Sequence, residues 1–189
     1  MFRLRGKVLQ FGREHLIEEG FIETHTPKIV ATATEGGADL FPMQYFDRPA
    51  FLNQSPQLFK QLCMSGGLER VFEIGPAFRA EKSDTYRHLA EFISFDIECS
   101  WANDDDVMGV LERMLHHIWK SVAEEAESQS LIAIINEFRA EQGEETVEVI
   151  VPELPFPRVE YDDAIRTVSY THLRAHETAS DLVSRLRLE

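Results

Sequence analysis

The chain has 189 residues, 43% of them hydrophobic and 28% charged, and a formal net charge of −14 at pH 7. This length suffices for one domain with a sizeable core. No apolar run reaches about 18 residues, so we expect no membrane span. The acid excess argues against nucleic-acid binding through the whole surface but allows a local basic pocket for a small anion. Cys63 and Cys99 lack metal-ligand spacing, which predicts buried free thiols in a cytoplasmic protein.

The first third of the chain alternates between helical and extended patterns. Residues 2–19 predict an amphipathic helix that stops at Gly20. "GFIETHTPKIV" follows as an extended segment, in which Pro27 favours an edge or interface strand. "ATATEGGADLF" is small and glycine-bearing, which is typical of a loop. The apolar stripe of the predicted helix consists of Phe2, Val8, Leu9, Leu16 and Ile17.

A short strand and a helix are predicted next. Phe51 and Leu52 indicate the strand, and "SPQLFKQLCMSGG" indicates the helix. Ser55 is placed to cap that helix and Pro56 to occupy its first position. The pair of glycines at 66–67 is expected to end it.

Two antiparallel strands are predicted at 71–78 and 92–98. In the second strand Ile93, Phe95 and Ile97 alternate with Ser94, Asp96 and Glu98, so one face is apolar and the other polar. Asp96 and Glu98 therefore point to the same side as any ligand on an open face of the sheet.

The second half of the chain is mainly helical. Three aspartates at 104–106 favour a helix N-terminus, and an apolar stripe follows at helical spacing. His116 and His117 are adjacent, so they face apart and make a poor metal pair. Residues 123–148 predict a peripheral helix and connector, and a proline-punctuated extension leads to a helix start at Tyr161. The stripe consists of Val107, Val110, Leu111, Met114, Ile118 and Val122.

The most charged stretch, "FRAEKSDTYRHLAEF" at 78–92, joins the two predicted strands. Arg79 ends the first strand, where its guanidinium could bridge two anions. Arg87 and His88 lie across the loop and suit a bent polyphosphate, and Glu81 suits a purine amino group or a ribose hydroxyl. The alternative is a solvated hairpin with surface salt bridges of about 0–1 kcal/mol each.

A second set of polar residues suits an amino acid. Gln57 and Lys60 are three residues apart and share one helical face, where an amide and an ammonium suit a small carboxylate-bearing ligand. Glu35, beside two glycines, suits an ammonium. Exposed helix residues are the alternative for Gln57 and Lys60.

In this order the segments resemble the catalytic domain of class II aminoacyl-tRNA synthetases, most of all the archaeal and eukaryotic type of aspartyl-tRNA synthetase. "GFIETHTPKI" resembles motif 1 of that class, and "FRAEKSDTYRHLAEF" resembles motif 2, which holds ATP. "ATATEGGADLFPMQYF" and "FLNQSPQLFKQ" resemble the segments that shape the aspartate pocket. The resemblance implies an α+β fold, with an antiparallel sheet flanked by helices, and a homodimer through the motif 1 region.

The resemblance also implies roles for individual residues. Glu35 receives the ammonium of L-aspartate, Ser55 and Gln57 position the substrate, and Lys60 pairs with its side-chain carboxylate. Arg79 clamps the substrate carboxylate and the α-phosphate and is the expected catalytic residue. The remaining ATP contacts are Glu81 to adenine and, along the β- and γ-phosphates, Arg87, His88 and Leu89.

The implied reaction is ligation of aspartate to tRNA(Asp). The α-carboxylate attacks the α-phosphorus of ATP, with Arg79 and Mg²⁺ neutralising two anions that repel. A tRNA hydroxyl then attacks the aspartyl-adenylate. An ammonium at Lys60 favours aspartate over asparagine, because a buried unpaired charge opposite an amide is costly.

The resemblance runs to about residue 167. A glycine-rich motif 3 and acidic Mg²⁺ ligands are not found, so we expect residues 1–167 to be a partial catalytic domain, truncated before motif 3 and inactive alone. Residues 168–189 resemble a translated sequencing adapter and predict a non-native tail. Other possibilities are an asparaginyl-tRNA synthetase, a related asparagine synthetase, or a non-catalytic paralogue.

Overall fold

The computed structural model describes residues 1–32, 40–80 and 89–172, with the side chains of 168–172 omitted. Two compact units are present: residues 1–154, which carry the sheets and most helices, and residues 155–189. No helix within the described ranges is long and apolar enough to cross a membrane.

The first unit contains four helices and six strands in its described part. The helices are α1 (Phe2–Glu18), α2 (Gln57–Ser65), α3 (Asp104–Glu124) and α4 (Ala126–Glu141). The strands are β1 (Ile22–Glu23), β2 (Ile29–Val30), β3 (Pro42–Tyr45), β4 (Arg48–Leu52), β5 (Arg70–Phe78) and β6 (Glu91–Cys99).

These strands form two three-stranded sheets. The first has the order β1-β5-β6, with β1 parallel to β5 and β5 antiparallel to β6. The second has the order β2-β4-β3 and is antiparallel throughout. The predicted α+β class is therefore confirmed. In the first sheet β5 and β6 are antiparallel and β1 adds a parallel edge, while β2, which follows Pro27, pairs in the second sheet.

One hydrophobic core lies between the first sheet and the helices α1 and α3. Apolar residues of α1 meet the stripe of α3 and Phe72 of β5, while Phe95, Ile97 and Cys99 of β6 pack against the same cluster. Gly12 allows this approach, because a Cβ there would lie 2.6 Å from Cε1 of Phe95. The buried members of the core are Phe11, Leu16, Phe21, Phe72, Val110, Met114, Ile118 and Val122.

The predicted helices are found, but not every residue of their stripes is buried. Phe2 and Ile17 of α1, and Val107 and Leu111 of α3, are exposed. The buried side of α1 instead centres on Phe11, Gly12 and Leu16. The periodicity identified the helices correctly, but apolar residues at the margins of each stripe turn outward.

The N-terminus of α3 is closed by a capping box. The side chain of Asn103 accepts from the backbone N–H of Asp106 at 3.0 Å, and the Asp106 carboxylate accepts from the backbone N–H of Asn103 at 2.9 Å. This reciprocal pair satisfies two backbone donors that the helix cannot pair internally.

A titratable cluster lies where α1 contacts α3. The imidazoles of His15 and His117 stack with ring centroids 5.0 Å apart. Glu19 accepts two hydrogen bonds from Arg113, at 2.5 and 2.8 Å, and lies 3.4 Å from Nε2 of His15. Burial is the main reason that the pKa of His15 lies below its usual value; Arg113 and His117 add to this, and Glu18 and Glu19 oppose it. His116 points elsewhere, with Nδ1 2.8 Å from the carbonyl oxygen of Pro152, so the two adjacent histidines do face apart.

The second unit contains α5 (Tyr161–His172) in its described part. The helix begins at the predicted residue, with Asp162 and Asp163 in its first turn. It continues past residue 167, where the sequence places the start of a non-native tail. That boundary stays a prediction.

The cysteines differ in burial from the expectation. Cys63 and Cys99 are both free thiols, but both are half-buried rather than buried. Burial raises the pKa of the Cys99 thiol.

Candidate functional site

The polar face of the β5–β6 hairpin carries the candidate site. Residues directly opposite in an antiparallel pair project to the same side of the sheet. The other face packs on the core through Phe72, Ile74, Phe95 and Ile97, so the polar face lies on the side away from α1 and α3. Its cross-strand pairs are Val71 with Glu98, Glu73 with Asp96, Gly75 with Ser94, and Ala77 with Phe92.

Lys60 extends from α2 onto this face and is 1% exposed. Its Nζ donates to Oδ1 of Asp96, to the carbonyl oxygen of Ile97 at 3.1 Å, and to Oε2 of Glu98 at 3.0 Å. The side chains of Asp96 and Glu98 keep 23% and 22% exposure. An ammonium has three protons to donate, and each has an acceptor here.

Gln57 lies one turn before Lys60 and reaches the same carboxylate. Its Nε2 donates to Oε2 of Glu98 at 3.0 Å, the oxygen that also accepts from Lys60. The prediction that Gln57 and Lys60 share one helical face is therefore confirmed.

Ser55 is nearly buried just before α2, but it is not the N-cap. The N-cap is Pro56, and Oγ of Ser55 accepts from the backbone N–H of Gln57 at 3.3 Å. The predicted positions are thus shifted by one residue, because the helix begins at Gln57 rather than at Pro56. Ser55 still holds the start of α2 in place over the sheet.

The charge around Lys60 corrects one expectation. The sequence predicts an ammonium that is free to meet a ligand, whereas the structure pairs it with two carboxylates. The formal charges of Lys60, Asp96 and Glu98 sum to minus one. Charge at Lys60 alone therefore does not favour aspartate over asparagine.

Arg79 lies over the same face, nearer the hairpin loop. Its backbone N–H donates to the carbonyl oxygen of Ala90 at 3.0 Å, and its Cζ is 5.3 Å from the ring centroid of Phe92. Nε of Arg79 is buried and has no hydrogen-bond partner within the described part of the chain. Phe92 and Asp96 share the polar face of β6 and are four residues apart, which corresponds to about 13 Å.

Small residues occupy the ladder between the two cationic side chains. Ser94 stands between Phe92 and Asp96 on β6, and Gly75 is its partner on β5. A Cβ on Gly75 would lie 2.9 Å from Oε1 of Glu73. The side chain of Glu73 therefore lies over Gly75.

Glu73 belongs to the same face and was not identified from the sequence. It is 2% exposed, forms an ion pair with Nζ of Lys28, and accepts from the backbone N–H of Thr26 at 3.0 Å. This pair ties the end of the motif 1 segment to β5. A single glutamate within the apolar stretch "VFEIGPAF" was the available signal.

Asn53 makes a second connection among the same segments. Its backbone N–H donates to Lys28 O at 2.9 Å, its carbonyl oxygen accepts from the backbone N–H of Phe78 at 3.1 Å, and its Nδ2 donates to Pro27 O at 3.2 Å. The segment before α2, the motif 1 segment and the end of β5 are thereby held together.

Four predicted site residues lie outside the described residues: Glu35, Glu81, Arg87 and His88. Leu89 is described; it precedes β6 and is 54% exposed. Within residues 1–32, 40–80 and 89–172, no group of three or more His, Cys, Asp or Glu side chains is arranged to hold a metal ion.

Comparison with known proteins identifies the class. The family profile described as "tRNA synthetases class II (D, K and N)" matches residues 1–183, and the chain belongs to this family. The match includes much of the segment after residue 167.

Curated relatives with similar sequences include aspartate–tRNA ligases. The chain is 54% identical over 164 residues to "Aspartate--tRNA(Asp/Asn) ligase" of Archaeoglobus fulgidus, covering 87% of this chain and 35% of the relative. It is 49% identical over 166 residues to "Aspartate--tRNA(Asp) ligase" of Thermoplasma volcanium, covering 88% and 36%. The chain thus spans about a third of the length of these relatives.

Solved structures give the same class of fold. The asparaginyl-tRNA synthetase from Pyrococcus horikoshii complexed with asparaginyl-adenylate matches with a TM-score of 0.75 and 33% identity, over 90% of this chain and 37% of that one. A putative aspartyl-tRNA synthetase from Leishmania major matches with a TM-score of 0.61 and 40% identity, over 67% and 24%.

Proposed function

We propose that this chain is the amino-acid-binding and ATP-binding part of an aspartate–tRNA ligase. The observation that carries the proposal is the convergence of Gln57 and Lys60 on one carboxylate oxygen, at 3.0 Å from each donor. Two fixed donors aimed at one point hold a carboxylate in a defined orientation. The names of the relatives support aspartate as the amino acid.

Arg79 is the proposed catalytic residue. Its guanidinium is held at the end of β5 by the Phe92 ring, with Nε turned away from solvent. A rigid guanidinium can contact the α-carboxylate of aspartate and the α-phosphate of ATP at once. It would offset the repulsion between the two anions and hold them in line for attack.

The reaction is adenylate formation followed by transfer. A carboxylate oxygen of aspartate bonds to the α-phosphorus, and pyrophosphate leaves with the electron pair of the broken P–O bond. A terminal tRNA hydroxyl then attacks the aspartyl carbonyl and AMP leaves. The residues proposed to contact ATP besides Arg79 are Glu81, Arg87, His88 and Leu89.

Mg²⁺ is expected for the complete enzyme, but the described residues do not fit it. No suitable group of three ligands is present among them, and Asp96 and Glu98 are both engaged by Lys60. No step above is assigned to the metal.

We also propose a homodimer through the motif 1 region. Ile22 of β1 and Ile29 of β2 are about half exposed, although both are large apolar residues in strands. Paired chains would remove this surface from water. Sedimentation of the wild-type chain and an Ile22→Lys, Ile29→Lys variant tests this, since the variant is expected to be monomeric.

Ligand binding tests the proposed function. Isothermal titration of the chain with L-aspartate, L-asparagine and ATP should show that aspartate binds more tightly than asparagine. Arg79→Ala should weaken ATP binding roughly tenfold or more, because a charge-assisted contact is lost. Arg48→Ala, an exposed arginine on the second sheet, is the matched control and should leave ATP affinity unchanged.

The opposite ranking would contradict the amino-acid assignment. Tighter binding of L-asparagine would favour the asparagine-specific relatives, which the Pyrococcus horikoshii likeness represents. Equal ATP affinity in wild type and Arg79→Ala would remove Arg79 from the nucleotide site.

A further inference from the structure

Glu98 occupies the position that the proposed function gives to the ligand's side-chain carboxylate. We propose that Glu98 is an internal competitor: its carboxylate fills the Gln57–Lys60 position in the unliganded chain and leaves when the ligand's carboxylate enters. This inference rests on the proposed function, because it concerns the same donors.

The contacts of Glu98 are those expected of a bound ligand. A single oxygen, Oε2, accepts from both Nε2 of Gln57 and Nζ of Lys60 at 3.0 Å. An incoming carboxylate needs the same two donors, so it and Glu98 cannot both hold the position. Because Lys60 is 1% exposed and has three acceptors already, it has no further proton to offer a ligand.

Glu98 is also the acceptor that can most readily leave. The carbonyl oxygen of Ile97 is fixed by the β5–β6 ladder. Asp96 also accepts from a donor outside the proposed ligand position, since Oγ of Ser94 donates to its other carboxylate oxygen at 3.3 Å. The hydrogen bonds that the structure gives the Glu98 side chain, within its described part, are those from Gln57 and Lys60.

Charge favours exchange of the Glu98 carboxylate for the ligand carboxylate over addition of the ligand beside Glu98. A ligand carboxylate added beside Asp96 and Glu98 would place three negative charges around one ammonium. Replacement of Glu98 keeps the local charge at minus one and lets the released carboxylate, already 22% exposed, reach water.

Displacement makes a quantitative prediction. An internal competitor reduces the apparent affinity of every ligand for that position by one common factor, the fraction of chains in which the position is open. Glu98→Ala should therefore strengthen binding of L-aspartate and of L-asparagine by the same factor. We expect roughly tenfold, corresponding to the loss of one charge-assisted competitor.

The experiment is titration of L-aspartate and L-asparagine into wild type, Glu98→Ala and Glu98→Gln, with urea unfolding to confirm that each variant folds. Glu98→Gln keeps the side-chain size and an amide oxygen as acceptor but removes the charge. Its affinities for both amino acids should therefore lie between those of wild type and those of Glu98→Ala. Glu91→Ala is the matched control: it removes a carboxylate from the same strand, seven residues or about 23 Å away, and should match wild type.

Four results would overturn the inference. Weaker aspartate binding in Glu98→Ala would make Glu98 part of the bound site. Stronger binding of aspartate alone would mean that Glu98 stays in place and repels the ligand. Wild-type binding with no change in either variant would remove Glu98 from the site and leave the proposed function standing, whereas no binding by any variant would overturn both.

Discussion

Replacing Lys60 by methionine tests the buried charge cluster on the polar face. Methionine is unbranched and of similar size, so the core loses little apolar contact. The change leaves Asp96 and Glu98 without the ammonium that both contact. The chain should remain folded but become less stable.

The size of the effect follows from the geometry. Oδ1 of Asp96 and Oε2 of Glu98 each lie within 3.0 Å of Nζ, so the two oxygens are at most about 6 Å apart. At an effective dielectric constant of about 20, two like charges at that distance repel by about 3 kcal/mol. Breaking a buried ion pair costs about 3–5 kcal/mol. Because both carboxylates are partly exposed, we expect the lower end, about 3 kcal/mol.

Urea unfolding followed by circular dichroism measures the change. Lys120→Met, at an exposed position on α3, is the control and should alter the free energy of unfolding by less than about 0.5 kcal/mol. Adding Glu98→Gln to Lys60→Met should recover about 1 kcal/mol or more, because it removes one of the repelling charges. A loss in Lys60→Met no larger than in the control would refute the reasoning.

Three further outcomes are expected in the first unit. Gly12→Val should cost about 1–3 kcal/mol in urea unfolding, since a Cβ there meets Cε1 of Phe95 at 2.6 Å; unchanged stability would contradict the close approach. Asn103→Ala should lower the free energy of unfolding by about 1 kcal/mol in the same assay, because the hydrogen bond that caps the N–H of Asp106 is lost. An unchanged free energy of unfolding would mean that water replaces the Asn103 side chain as the cap. Burial lowers the pKa of His15, so the contribution of the neutral imidazole to stability is present above about pH 6.5 and is lost as the pH falls below that value. The urea midpoint of His15→Gln should therefore fall less than that of wild type when the pH is lowered through this range. Equal falls in the two midpoints would contradict the role of His15.

Local patterns predicted the hairpin and its faces. The alternation of apolar and polar residues in 92–98 predicts Phe95 on the apolar face and Asp96 on the polar face. In the structure Phe95 packs against the core and Asp96 contacts Lys60 of α2. Spacing likewise put Gln57 and Lys60 on one face of α2. These features depend on periods of two and of about 3.6 residues, which a sequence displays directly.

Pairing between distant residues was not predictable in the same way. Lys60 meets Asp96 across 36 positions, and Lys28 meets Glu73 across 45. Neither partner is distinguished by local sequence, because the choice depends on how α2 and the motif 1 segment lie on the sheet.

Strand β3 was missed for a different reason. It begins at Pro42 and is mostly exposed, so it lacks the apolar alternation of β6. As an edge strand it tolerates a proline, since only one side needs ladder hydrogen bonds.

A crystal structure of the chain with L-aspartate is the most direct test of the proposed site. We predict that an oxygen of the ligand's side-chain carboxylate lies about 3 Å from both Nε2 of Gln57 and Nζ of Lys60, with the Glu98 carboxylate turned away. Aspartate bound at any other place on the chain, with Glu98 still in contact with both donors, would contradict the account.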